Sequence, residues 1–219
     1  MYEFRLPHHT DYVRSIDVSK DNKYFVSGGR DNLVKLWDIQ KKKNIKTFKA
    51  SFFVNSVVFS PNGKFIASSN QYDIQIWDVK SGKEIKKIEI SGSIDAIFSP
   101  SGKYLAVIAQ NKPIELWNTR NWKKIKELKT NMNIKKIIFT PNGKYILAYY
   151  NYFDKKSKRE ILRVWDVESG KKIKDLKLDL EGSYRPNLLF TSNEKYFFIS
   201  IKNIISTYPK LISNPSRFT

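Results

Sequence analysis

Apolar and polar residues alternate in short runs along almost the whole chain, and Asn, Asp, Gly or Pro interrupts the runs at close intervals. Between Tyr12 and Ala50 the order is "YVRSIDVS" (12–19), the turn "KDN", "YFVSGG" (24–29), the turn "RDN", "LVKLWDI" (33–39), the connection "QKKK" and "NIKTFKA" (44–50). Runs of four to eight residues rich in Val, Ile, Phe and Tyr, bounded by turn formers, predict strands. This stretch therefore predicts four short strands. No segment carries a helical period with capping residues at its ends, and the prediction is all-β.

The pattern repeats. "VSKDNKYF" (18–25) returns as "FSPNGKFI" (59–66), "FSPSGKYL" (98–105), "FTPNGKYI" (139–146) and "FTSNEKYF" (190–197), at intervals of 41, 39, 41 and 51 residues. In these turns Pro presets φ and Gly tolerates positive φ. "KLWDIQ" (35–40) returns as "QIWDVK" (75–80), "ELWNTR" (115–120) and "RVWDVE" (163–168), so Trp37, Trp77, Trp117 and Trp165 lie 40, 40 and 48 residues apart. A fixed period of about 40 residues is the mark of a repeat architecture. Five copies of one unit are present.

Three Trp-Asp dipeptides and one Trp-Asn, in phase with five such turns, resemble the WD-repeat (WD-40) β-propeller family over essentially the whole chain. The resemblance implies four-stranded antiparallel blades around a central channel. It also implies a structural tetrad, which falls on His9, Ser27, Asp31 and Trp37, with "HH" in place of the usual Gly-His. The other units depart from it. The second keeps Ser68 with Trp77 but has Ala50 at the His position; the third has Val107 and the fourth Ala148 at the Ser position, and the fifth has no Trp. Those blades are expected to hold by packing alone, since apolar replacement of both partners is nearly neutral. The tetrad is expected to be scaffold, not a catalytic site.

The repeat divides a single propeller domain, 1–219, into units at about 9–50, 51–90, 91–130, 131–179 and 180–219. "YEFRLPH" (2–8) matches the fourth-strand segments, and the resemblance implies that it completes the last blade. A five-blade arrangement is expected, with closure of the ring left open; an open ring would expose strand edges and invite dimerisation.

The resemblance also places the turns before the first and after the second strand on one face, the top. One unit carries an insertion there, "NYFDKKSKRE" (151–160), which lengthens the third tryptophan interval. Tyr152, Phe153, Lys155, Lys156, Lys158 and Arg159 from this insertion, with Tyr184 and Arg185 from "LEGSYRPN" (180–187), form an aromatic and basic candidate contact set. The alternative is a solvated hairpin tip with no partner.

Composition narrows the function classes. The formal charge is +19, carried mostly by lysine, alongside 41% hydrophobic residues and no cysteine. Such charge fits phosphate binding, yet lysine beside abundant Asn and Ile also fits an AT-rich genome, and much of it falls along the predicted fourth strands as a solvated rim. No apolar run approaches a membrane span and no secretory signal is visible at the start, so membrane insertion is not expected and a cytoplasmic setting is. His8 and His9 are the two histidines, and no phosphate loop or nucleophile elbow occurs. No cofactor, metal or enzymatic role is expected. The leading expectation is a non-catalytic protein–protein interaction scaffold that binds a protein or peptide on the top face. The alternative is a nucleic-acid-associated protein that uses its basic surface.

Overall fold

The computed structural model of the chain describes residues 9–130, 133–153, 158–178, 187–191, 196–201 and 204–209, and every regular element among them is a β-strand. They form five antiparallel sheets with strands in chain order. The first holds β1 (Val13–Val18), β2 (Tyr24–Gly29), β3 (Leu33–Asp38) and β4 (Lys43–Lys49); the second β5 (Ser56–Phe59), β6 (Phe65–Ser69), β7 (Asp73–Asp78) and β8 (Glu84–Glu89). The third holds β9 (Ser93–Phe98), β10 (Tyr104–Ala109), β11 (Ile114–Asn118) and β12 (Lys123–Leu128); the fourth β13 (Ile134–Phe139), β14 (Tyr145–Phe153), β15 (Lys158–Asp166) and β16 (Lys172–Leu178). The fifth has three strands among the described residues: β17 (Asn187–Phe190), β18 (Tyr196–Ile201) and β19 (Ile204–Pro209). The chain falls into two compact units divided between Glu127 and Leu128.

The core of each unit lies between successive sheets. In the first unit, Val26, Val34, Leu36 and Phe48 of the first sheet pack with Val57, Phe59, Ile66 and Trp77 of the second. The opposite face of the second sheet, with Ala67, Ile74, Ile76 and Ile88, packs with Ala96, Leu105 and Val107 of the third. In the second unit, Leu147, Tyr149, Leu162 and Val164 meet Leu188, Phe197 and Ile199. The two inner strands of the second sheet, "FIASS" and "DIQIWD", are almost wholly buried, their polar Ser68, Ser69, Asp73 and Gln75 included.

The repeated turn has a hydrogen-bonded reason. Its hydroxyl residue accepts the N–H of the residue that opens the next strand: Tyr24 to Ser19 (2.9 Å), Phe65 to Ser60 (2.9 Å), Tyr104 to Ser99 (3.0 Å), Tyr145 to Thr140 (3.0 Å) and Tyr196 to Thr191 (3.1 Å). Among the described residues, four of these turns contain a left-handed residue, Asn22 (φ 58°), Gly63 (67°), Gly102 (71°) or Gly143 (70°). Asn stands in the first because it is among the few residues with a side chain that visit this region routinely.

The residue after each tryptophan closes the next turn. Asp38, Asp78 and Asp166 accept the N–H of Lys41, Ser81 and Ser169, and Asn118 accepts that of Arg120. Short carboxylate and amide side chains bond their own backbone a few residues on, which is why they recur here.

Candidate functional site

The first sheet assembles a chain of buried polar groups. The Trp37 indole N–H donates to Ser27 Oγ (2.8 Å), Ser27 Oγ lies 2.7 Å from His9 Nε2, and His9 Nδ1 lies 2.9 Å from both oxygens of Asp31. With Nδ1 protonated, the tautomer this network requires, every member is satisfied. Burial pushes the Asp31 carboxyl up, but hydrogen bonds from His9 and from the N–H groups of Thr10 and Leu33 outweigh it and hold the group below the usual carboxylate range. Gly29 leaves room for the network: a Cβ there would stand 2.9 Å from the Tyr12 carbonyl and 3.0 Å from His9 Nδ1. Each member's hydrogen-bonding capacity is spent on the others, which suits a clamp.

The remaining tryptophans are secured differently. Trp77 donates to Ser68 (2.9 Å) and packs against Phe48 at 5.4 Å, so it ties the second sheet to the first. Trp117 does not rest on packing alone. With Val107 at the hydroxyl position, its indole N–H donates instead to Glu115 Oε2 at 2.9 Å. The sequence-based expectation of an apolar replacement is corrected here: a carboxylate two residues before the Trp takes over from the missing hydroxyl. In the fourth sheet the same register position holds Arg163, opposite Ala148. Its guanidinium bonds Asp175 bidentately at 2.5 and 2.8 Å and lies 5.8 Å from the Trp165 ring. A fifth tryptophan, Trp122, lies out of phase in the turn between β11 and β12 at φ 53° and meets Phe65 edge-on at 5.2 Å.

The connection between the first two sheets, residues 50–55, is unlike the next one. Its backbone is fastened at four points: Ala50 N–H to the Asn32 carbonyl (2.8 Å), Ser51 N–H to Gln75 Oε1 (2.9 Å), Val54 N–H to the Gly29 carbonyl (3.0 Å) and Asn55 N–H to the Ser69 carbonyl (2.8 Å). Val54 is buried against Gly28, where a Cβ would meet the Val54 side chain and stand 2.7 Å from Val57 Cγ1. Between these anchors Phe52 and Phe53 remain 45% and 58% exposed, beside Tyr72 at 46%. The Phe52 and Tyr72 rings lie 4.5 Å apart. Together with Asn32, Asn55 and Gln71 these three aromatics line a cavity of about 190 Å³. The turns after β2 and β6 and the connection before β5 thus converge at one end of the unit. Two exposed phenylalanines are thus held on a backbone whose conformation internal hydrogen bonds already fix.

The contact set expected from sequence lies elsewhere. β14 and β15 extend to nine residues each, so Tyr152 stands opposite Arg159 and Phe153 opposite Lys158 in a lengthened hairpin. Lys155, Lys156, Tyr184 and Arg185 lie outside the described residues, as does the strand expected at 2–8. Several outer-strand lysines are engaged within the molecule. Lys46 donates to the Val79 and Lys80 carbonyls of the next sheet, Lys87 pairs with Asp73, Lys124 with Glu115 and Glu127, and Lys172 with Asp175. Among the described residues no group of three His, Asp or Glu side chains is placed to hold a metal ion.

The sequence profile of the NWD2 C-terminal β-propeller family matches residues 4–203. Local similarity extends to proteins named for this repeat: the chain is 41% identical over 54 residues to the cross-pathway control WD-repeat protein 2 of Flammulina velutipes. It is 39% identical over 54 residues to the small ribosomal subunit protein RACK1 of Schizosaccharomyces pombe. Each alignment covers 25% of this chain and 17% of the relative, so the chain matches only a small part of those proteins' length. Among solved structures, Kuenenia stuttgartiensis hydrazine synthase superposes with a TM-score of 0.77 at 18% identity, over 90% of this chain and 58% of the other. At that identity the likeness is one of fold.

Proposed function

Because the chain belongs to the NWD2 C-terminal β-propeller family, we propose that it is a non-catalytic interaction scaffold that binds a protein or peptide on the top face of its blades. The observation that carries this reading is the fastened connection 50–55, which presents Phe52 and Phe53 to solvent beside Tyr72. Aromatic side chains dominate contact energies at protein interfaces, and exposed ones gathered around a cavity are the natural anchors for a partner. One relative's name points the same way, to a small ribosomal subunit protein. The five repeat units form one propeller domain in this reading, with residues 2–8 completing the last blade. Tyr152, Phe153, Lys155, Lys156, Lys158, Arg159, Tyr184 and Arg185 are the further partner contacts of this reading, and the setting is cytoplasmic.

The internal partners of Lys46, Lys87, Lys124 and Lys172 support treating the lysine-rich outer strands as a solvated rim in place of a nucleic-acid surface. Titration of labelled RNA and DNA at two salt concentrations separates the two functions. Binding through phosphates falls steeply with ionic strength, whereas the scaffold retains neither nucleic acid even at low salt. Nuclease-treated affinity purification then returns the same protein partners as untreated material. A partner set that vanishes with nuclease contradicts the scaffold reading.

A further inference from the structure

We infer that the 190 Å³ cavity takes one indole side chain presented by an acidic linear peptide, an inference that rests on the scaffold reading above and specifies its partner. The size is the first argument. A cavity of about 150 Å³ accommodates benzene, so this space is large enough for one aromatic side chain. The walls are the second. Phe52, Phe53 and Tyr72 offer ring faces, with Phe52 and Tyr72 already tilted at 52° to each other, the arrangement into which a third ring packs edge-to-face.

The polar lining selects among aromatics. It consists of the amides of Asn32, Asn55 and Gln71, with no charged side chain. The backbone N–H groups of Ala50, Ser51, Val54 and Asn55 are already spent on internal bonds. Asn32 Oδ1 is buried without a hydrogen-bond partner. Rotation about the soft terminal torsion of an asparagine turns that acceptor to the cavity, and an unpartnered acceptor favours an occupant that donates. Tryptophan combines a large ring face with a group that only donates.

Charge sets what flanks the indole. Lys49 and Arg30 are exposed beside the segments that form the cavity. With a chain charge of +19, an acidic segment is attracted and a basic one repelled.

Fluorescence anisotropy on the full chain tests this with three nine-residue probes: a Glu/Asp-rich peptide with one central Trp, the same peptide with 1-methyltryptophan, and a Lys-rich peptide with Trp. The acidic Trp peptide binds saturably, methylation of the indole nitrogen weakens it about tenfold, and the Lys-rich peptide does not bind. Phe52→Ala weakens the acidic peptide at least tenfold at a temperature where the variant is still fully folded, its melting point lowered by no more than a few degrees. Asn32→Gly, which suits the positive φ of 61° at that position, abolishes the difference between indole and methylindole, and Asn32→Asp keeps it. Equal affinity for the methylated peptide, indifference to Phe52→Ala, or equal binding of the Lys-rich peptide overturns the inference. So does the absence of binding by all three probes, which leaves the broader scaffold reading to its own purification test.

Discussion

The connections 50–55 and 90–92 occupy the same place in successive blades, yet they do opposite things. The second joins Glu89 to Ser93 with three residues and is tied to the neighbouring turns: Gly92 N–H bonds the Gln71 carbonyl and Gln110 N–H bonds the Gly92 carbonyl, both at 2.8 Å. Ile90 is buried, a Cβ on Gly92 would stand 3.2 Å from that of Gln110, and Ser91 is the exposed residue. The first joins Lys49 to Ser56 with six residues, is fastened as firmly, and uses the extra length to present Phe52 and Phe53. Both connections satisfy their backbone. The longer one carries apolar surface that folding does not consume, and recognition is sought in that surplus.

The comparison is broken most severely by replacing Phe52 and Phe53 together with Ala. Partner capture is expected to fall by at least tenfold, the scale of truncating interface anchors, while chemical denaturation shifts by about 1–3 kcal/mol because each ring is about half-buried. Gly28→Ala attacks the fastening instead. The added methyl collides with Val54 and Val57, and a cost of about 1–3 kcal/mol is expected from overpacking, with weaker partner capture as Val54 shifts.

Smaller effects sharpen how the blades themselves are held. Ser27→Ala strands both the Trp37 indole and His9, whereas Ser68→Ala strands only the Trp77 indole. Urea unfolding should show about 2 kcal/mol lost for the first and about 1 for the second. Glu115→Gln keeps an oxygen for Trp117 and costs less than about 1 kcal/mol. Acid titration gives the last contrast. Because Asp31 is held below its ordinary value of 3.8 in the folded chain, its contribution is full above that pH and is lost as pH falls through the lower folded value. Asp31→Asn is therefore expected to be less stable at neutral pH and to lose less on acidification, as followed by thermal melts below about pH 4.

Much of the scaffold is legible in the sequence because it rests on local chemistry. The turns need a hydroxyl, an Asx or a second Ser, and a left-handed residue within five positions, and the Asp after the Trp needs only the turn that follows it. Three features escape such reading. Glu115 matters because it sits two residues before Trp117 in a sheet where Val107 has removed the usual acceptor, a relation across strands. Trp122 lies out of phase and acquires its role from Phe65 of another blade. Phe52 and Phe53 belong to the apolar run "SFFVNSVVF", which reads as the start of a strand, although pairing begins only at Ser56. Their exposure follows from Val54 being drawn onto Gly28, a contact between residues 26 positions apart. The basic insertion 151–160 is conspicuous in sequence because it interrupts the period, whereas the aromatic cavity leaves the period intact.

Photo-crosslinking tests the central claim most directly. The full chain carries p-benzoylphenylalanine in place of Phe53, or in place of Ser91 in the short connection, and is irradiated in the cells that make it after nuclease treatment. The account predicts discrete protein adducts at position 53, abolished by Phe52→Ala, and none at position 91. Equal labelling at both positions, or adducts at 53 that persist in the Phe52→Ala background, would contradict it.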